Sequence, residues 1–143
     1  VPDRQRASLH PLFAPANAPG SIAVVTPAGG DAVDTVIGAL TAAGNDPFET
    51  TSAEHDSAME SVQAAAHAAV LAYAMASENV PERFHTPVSA GLQSLVDQVL
   101  GGEAHVYADI QHAFDGAEAV AEAARELADA DHESFVEIYD ELS

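Results

Sequence analysis

The apolar positions in the first third of the chain change their spacing along the sequence. Residues 21–26 form a short β-branched apolar run closed by proline and glycine, which predicts a strand. Apolar residues then recur at helical spacing over 31–44, and a second short strand is predicted over 47–51. Residues 1–20 contain four prolines and are predicted to be irregular. This part of the chain is thus predicted to be a β-α-β piece, whose sheet we expect to continue beyond it.

After residue 51 the pattern is helical almost throughout. An alanine-rich segment over 52–78 is predicted to be a buried central helix that Asn79 and Pro81 end. Shorter helices are predicted over 87–100, 103–114 and 116–130, and from Asp131 onward. The predicted fold class is therefore mainly α, with a short β-α-β piece in residues 1–51 and a helical domain in residues 52–143.

The charge of the chain narrows the classes of function. Four basic residues, all arginine, stand against 23 acidic ones, which gives a formal net charge of −19. This field repels phosphate backbones and excludes nucleic acid as a partner. No apolar run reaches the roughly 20 residues that span a bilayer, so we expect a soluble, cytoplasmic protein without a membrane partner.

Most of the acidic residues are interpreted as solvent adaptation. The chain has no lysine and many small apolar residues, a composition typical of proteins from a high-salt cytoplasm. Without cysteine it forms no disulfide and no thiolate metal site. Two rows of glutamates at four-residue spacing are interpreted as solvated helix faces, and no metal site is predicted. These rows are Glu118, Glu122 and Glu126, followed by Glu133, Glu137 and Glu141.

Three histidines are candidates for chemistry. His10 lies in the proline-rich opening, where apolar neighbours would hold a loop histidine in place. His67 falls on the alanine-rich face of the long helix, as either a hydrogen-bonded core histidine or a functional one. His55 begins the same helix and is interpreted, with Asp56, as an N-terminal cap. The turn at Gly29-Gly30 lacks the GxGxxG order of a dinucleotide loop.

Five motifs follow one another from residue 10 onward. In chain order they are HPLFAP at 10–15, EHD at 54–56 with Met59, Val62, Gln63 and His67 downstream, Thr86-Pro87-Val88, VYADI at 106–110 and FVEI at 135–138. Their order and spacing resemble those of the C-terminal part of prephenate dehydrogenases. Each motif alone is weak evidence, but the five together are fairly specific and cover nearly all of the chain after residue 10.

The resemblance implies an oxidoreductase of tyrosine biosynthesis. Such an enzyme oxidatively decarboxylates prephenate, or arogenate, with NAD or NADP. A nucleotide-binding domain is then expected before this region, with residues 1–51 as its tail. Residues 52–143 are expected to form a dimerisation and substrate-binding domain, similar to the C-terminal helical domain of 6-phosphogluconate dehydrogenases, so the expected partner is a second copy. Without the GxGxxG loop, this region by itself is expected to be inactive.

The resemblance also implies roles for individual residues. His10 matches the base that accepts the substrate's hydroxyl proton, while His67 and Gln63 match residues that line the pocket. The family often places a carboxylate-binding arginine after the motif at 86–88, but residues 87–92 read PVSAGL. Arg83, His85, Ser89 or Arg6 are the candidates to replace it.

The missing arginine leaves a second hypothesis open, a non-catalytic dimerisation or tyrosine-sensing module on the same scaffold. A small helical chorismate mutase is poorly supported, because that reaction needs several cationic groups around a dianion and the chain has only four arginines.

Overall fold

The computed structural model describes residues 4–143, which form a small three-stranded sheet followed by helices. About two thirds of the chain is helical, which confirms the predicted mainly-α class with a β-α-β start. Of these described residues, those up to Ala58 form one compact unit, and those from Met59 onward form a second. None of the described helices is both long enough and apolar enough to cross a membrane.

The first unit is built on a sheet of three strands in the order β1-β2-β3. Strand β1 (Arg6–Pro11) pairs antiparallel with β2 (Ser21–Ala28), and β3 (Asp46–Glu49) pairs parallel with β2. Helix α1 (Asp31–Ala42) makes the crossover between the two parallel strands, as parallel pairing requires.

The central strand supplies most of the first unit's core. Ile22, Ala23 and Val24 of β2 are all buried, and Val33 of α1 is buried as well. Three consecutive buried residues mean that both faces of β2 are covered, which explains why its sequence is a continuous apolar run without alternation.

Strand β1 corrects the prediction that the opening residues are irregular. Its pairing runs from Arg6 opposite Ala28 to Pro11 opposite Ile22. Proline cannot donate to a sheet ladder, and Pro11 is tolerated because it ends an edge strand. His10 therefore lies on a strand and not in a loop. The reason is tertiary, because only the backbone of β2 gives these residues an extended partner.

The helix predicted over 52–78 is helical from residue 52 to residue 76, but it is not uniform. It consists of α2 (Ser52–Met59), a π-helical segment (Glu60–Ala65) and α3 (Ala66–Ala76). The prediction that it is a buried central helix is wrong for the described chain. Only Met59 and Ala64 are buried in this stretch, whereas the side chain of Met75 is 87% exposed.

The remaining helices closely match their predicted ranges. They are α4 (Pro87–Leu100), α5 (Ala104–Ala113), α6 (Gly116–Asp129) and α7 (His132–Glu141). The buried hydrophobic residues of the second unit are Met59, Ala64 and, on α4, Val96 and Val99. The start of α6 packs directly on the π-helical segment. There, a Cβ atom on Gly116 would lie 2.6 Å from the carbonyl oxygen of Glu60.

Candidate functional site

The first unit brings together two histidines that are 45 positions apart. His10 is held on β1 by its pairing with Ala23, and its ring is half-buried. Its Nδ1 atom lies 2.8 Å from Nε2 of His55, which is hydrogen-bonding distance. The two rings meet edge to face, with centroids 5.1 Å apart and an interplanar angle of 61°.

His55 is held by the first turn of α2. Thr51 caps this helix, because its hydroxyl accepts a hydrogen bond from the amide of Glu54 and its carbonyl accepts one from the amide of His55. The other ring nitrogen of His55, Nδ1, lies 2.9 Å from Oδ1 of Asp56. The expected pairing of His55 with Asp56 is therefore present, but the cap is Thr51, and the free edge of the ring is directed at His10.

A cavity of about 450 Å³ adjoins the two histidines. This volume is within the range of small-molecule sites. Strands β1 and β2 form one side of it, and the start of α2 forms the other. Its lining residues are Ser8, Leu9, His10, Ala23, Val25, Pro27, Ser52, His55 and Asp56. These lining residues include one carboxylate, that of Asp56, and no arginine.

The electrostatics of the site favour a neutral His10. Burial lowers the pKa of His10 below its ordinary value of 6.5, and the neighbouring His55 lowers this pKa further. A histidine that is neutral at pH 7 has a lone pair on one ring nitrogen and can accept a proton from a substrate. The arrangement therefore suits general base chemistry.

His67 and Gln63 lie in the second unit. His67 is on α3, where its ring meets the Tyr107 ring edge to face with centroids 4.9 Å apart. Its Nδ1 atom is buried without a hydrogen-bond partner in the described structure, and burial lowers the pKa of the ring. Gln63 is half-buried in the π-helical segment. The hypothesis that His10 and His67 line one cleft stays a prediction.

His85 and Ser89 are brought together at the start of α4. The His85 Nδ1 atom lies 3.2 Å from the Ser89 hydroxyl oxygen, which also accepts a hydrogen bond from the Thr86 amide in a capping box. Both residues line a small polar cavity of about 120 Å³. The remaining lining residues are Tyr73, Ser77, Glu78, Asn79, Val80, Phe84 and Gln93.

The two candidate arginines lie elsewhere. The guanidinium of Arg83 stacks over the ring of Phe84, 4.9 Å from its centroid, and Arg83 is not among the residues lining the polar cavity. Arg6 is on β1, beside a different, mostly apolar cavity against Val33 and Val36 of α1. Neither arginine adjoins the cavity at His10.

The described residues do not fit a dinucleotide. The glycine turn before α1 comes closest, but the backbone amide of Ala32 there already donates to the side chain of Gln5 at 2.7 Å. Asp31 and Asp34 also place two carboxylates in the first helical turn, where a pyrophosphate would need the opposite charge. Nor do any three His, Asp or Glu side chains between residues 4 and 143 cluster as metal ligands.

No protein-family model matches this sequence, and no curated protein is significantly similar to it. The resemblance to prephenate dehydrogenases therefore stays a prediction. The contact that sequence reasoning missed is the one between His10 and His55. Its signal was present, since each of the first two motifs, HPLFAP and EHD, contains one of the two histidines.

Proposed function

We propose that this chain is the substrate-binding and dimerisation part of an NAD(P)-dependent prephenate or arogenate dehydrogenase, with His10 as its general base. The observation that carries the proposal is the 2.8 Å contact between His10 and His55. The two residues belong to separate motifs of the same resemblance, and they meet beside a cavity large enough for a small molecule. The contact in space between His10 and His55 is a separate observation from the motif spacing on which the resemblance is based.

In this proposal, His10 accepts the proton of the ring hydroxyl, and the carbon that bears the hydroxyl gives up a hydride, which NAD⁺ or NADP⁺ would accept, and becomes a carbonyl. The ring carboxylate then leaves as CO₂, and the electrons of the broken bond aromatise the ring. The protonated His10 returns its proton to the phenolic oxygen, so the base is regenerated. The cofactor is assigned to the nucleotide-binding domain that the resemblance implies, because the described residues offer no pyrophosphate site.

The test is an assay of the full-length protein with NAD⁺ or NADP⁺ and either prephenate or arogenate. We expect reduction of the cofactor, and we expect His10→Asn to lower kcat by roughly 10²–10⁴-fold, the usual contribution of a general base. Asparagine can keep the contact with His55 but has no counterpart of the distal ring nitrogen. The matched control is His132→Asn on α7, an exposed histidine, which should leave kcat unchanged.

Two outcomes would contradict the proposal. If neither prephenate nor arogenate leads to reduction of the cofactor, the protein is not this dehydrogenase. If His10→Asn leaves kcat unchanged, His10 is not the general base.

The second candidate is a tyrosine-sensing or dimerisation module without catalysis. The observation that favours it is the stacking of Arg83 on Phe84. Arg83 does not line the His85–Ser89 cavity, whose lining holds the carboxylate of Glu78 and no arginine. A dianionic substrate is normally bound by arginine. Calorimetry with tyrosine separates the two candidates, because heat of binding in a protein that does not reduce NAD(P)⁺ would support the module.

A homodimer is part of the proposal. Helix α7 and the residue that follows it leave four large apolar side chains about half or more exposed, and α3 has no buried residue. Exposed apolar surface of this kind marks association sites. These side chains are Phe135, Val136 and Tyr139 on α7 and Leu142 directly after it. Light scattering at molar salt should return twice the mass of the chain, and a monomer mass would contradict the dimer.

A further inference from the structure

We infer that His55 and Asp56 are positioning residues that hold His10 in one tautomer, with the proton on Nδ1 and the lone pair on Nε2. Asp56, His55 and His10 form a continuous row of hydrogen-bonding contacts, 2.9 Å from carboxylate to ring and 2.8 Å from ring to ring. The inference rests on the proposed function in one respect, that His10 is the base.

The carboxylate at one end of the row determines where the protons lie. An ionised Asp56 can only accept, so Nδ1 of His55 must be the donor in that contact. A neutral imidazole carries one N–H, and Nε2 of His55 is therefore an acceptor. Across the 2.8 Å contact, Nδ1 of His10 must then donate, and the lone pair of a neutral His10 is on Nε2.

The opposite arrangement places acceptors against each other. If His10 carried its proton on Nε2, its Nδ1 atom would be an acceptor. Nε2 of His55 would then have to carry the proton of that ring and donate it to His10. The Nδ1 lone pair of His55 would then face the Asp56 carboxylate at 2.9 Å, and two acceptors at that distance repel. The His55 side chain is only 18% exposed, so water cannot readily replace the lost hydrogen bond.

The backbone holds both rings in position. His10 is held by the β1–β2 ladder, and the amide of His55 bonds to the carbonyl oxygen of Thr51 at 2.9 Å. Asp56 is 67% exposed and packs little, so its removal should disturb the fold little. Single substitutions can therefore test the role of each residue in the hydrogen-bonded row of Asp56, His55 and His10.

The first experiment measures the tautomer of His10 directly. Full-length protein labelled with ¹⁵N is examined at pH 8 by long-range ¹H–¹⁵N correlation, which identifies the unprotonated ring nitrogen without substrate or cofactor. We expect Nε2 to be unprotonated in the native protein and in His55→Gln, whose amide oxygen can still accept from Nδ1. In His55→Phe and Asp56→Ala we expect a mixture. A native His10 protonated on Nε2 would overturn the inference.

The second experiment measures turnover in the same variants. His55→Phe should lower kcat by about tenfold or more with little change in KM, because the base loses its fixed tautomer. His55→Gln should recover most of that loss. The matched control is His105→Phe, which replaces an exposed histidine on α5 and should behave as native.

The two experiments separate this inference from the proposed function. If His55→Phe turns over prephenate or arogenate as fast as the native protein, the positioning role is wrong and the dehydrogenase stands. If the protein reduces no cofactor but His10 has the expected tautomer, the proposed function fails and the row is supported as a determinant of the tautomer.

Discussion

The Nδ1 atom of His10 lies 2.8 Å from the Nε2 atom of His55, and this contact joins the edge strand of the sheet to the first turn of α2. Neither residue could hold the other in place if its own backbone were mobile. The strand ladder holds one ring and a capped helix holds the other, so the pair forms a defined site. Through Asp56, the site also contains a carboxylate that selects a tautomer.

The first prediction concerns the pH dependence of activity. Burial, and then His55, lower the pKa of His10 below 6.5, so His10 stays neutral and able to accept a proton to a lower pH than an ordinary histidine. We expect the acidic limb of a plot of kcat/KM against pH to fall below pH 6.5. This limb reports the base of the free enzyme. A limb centred above 6.5 would contradict a role for His10 as the base.

The second prediction concerns the pH dependence of stability. Burial lowers the pKa of His67 in the folded protein, so the unfolded chain takes up this proton first as the pH falls below 6.5. Folding stability from this group is therefore present above pH 6.5 and decreases below it. We expect urea unfolding to show a smaller loss of stability between pH 8 and pH 5.5 in His67→Gln than in the native protein.

The control for this measurement is His112→Gln on α5. His112 is exposed, and this variant should keep the native pH slope. Equal slopes in native protein and His67→Gln would show that the burial of His67 contributes nothing measurable. The slopes are compared, and not the absolute stabilities, because replacing His67 also removes its contact with Tyr107.

The third prediction concerns the close approach of α6 to the π-helical segment. A Cβ atom on Gly116 would lie 2.6 Å from the Glu60 carbonyl oxygen and 2.7 Å from Cβ of Ala64, and closer still to the amide of Ala65. We expect Gly116→Ala to lower the free energy of unfolding by roughly 1–3 kcal/mol, the usual cost of overpacking. Urea denaturation followed by circular dichroism measures this change.

Gly91→Ala is the matched control for that substitution. Gly91 is inside α4, and nothing lies within 4 Å of an added Cβ there. Alanine is the better helix former, so this variant should be more stable by about 0.5–1 kcal/mol. If the two variants have the same stability, the contact between α6 and the π-helical segment is looser than the structure shows.

The fourth prediction concerns salt. A net charge of −19 gives strong mutual repulsion, whose reach shrinks from about 10 Å at 0.1 M salt to about 3 Å at 1 M. We expect the melting temperature to rise over this range of KCl. The rise should be smaller when Glu118, Glu122 and Glu126, exposed at four-residue spacing on α6, are all replaced by Gln.

Sucrose is the control for the effect of salt. It favours compact proteins by exclusion from their surface but does not screen charge. The native protein and the triple variant should therefore respond equally to sucrose. A native melting temperature that is insensitive to KCl would show that the acidic surface carries no stability cost at low salt.

Local signals were sufficient for most of the helices. Helix α4 was predicted from Pro87 to residue 100 and is observed over that range, because a first-turn proline and a glycine pair mark its ends and Val96 and Val99 give it a buried face. The strand predicted over 21–26 was likewise recognisable from its apolar run, and the observed β2 extends it to Ser21–Ala28. In each case the decisive information lies within a few residues of the element.

Strand β1 and the π-helical segment were not predictable in this way. An edge strand interrupted by proline has no periodicity of its own, and its hydrogen bonds come from β2. The π-helical segment occurs where Gly116 approaches from more than 50 positions away and the Gln111 amide donates to the Ala64 carbonyl at 2.9 Å. The absence of buried residues on α3 was also not predictable, because an alanine-rich sequence does not determine which neighbouring elements pack against the helix.

The sequence by itself determined the class of the fold, the order of its helices and the two histidine-bearing motifs, since capping residues, apolar spacing and motif order are properties of neighbouring positions. Only the tertiary structure decided that His10 lies on a strand and meets His55, and that His55 continues to Asp56. A hydrogen bond between residues 45 positions apart depends on where two backbones are held in space. That information lies in the packing of strand against helix and not in any local stretch of the chain.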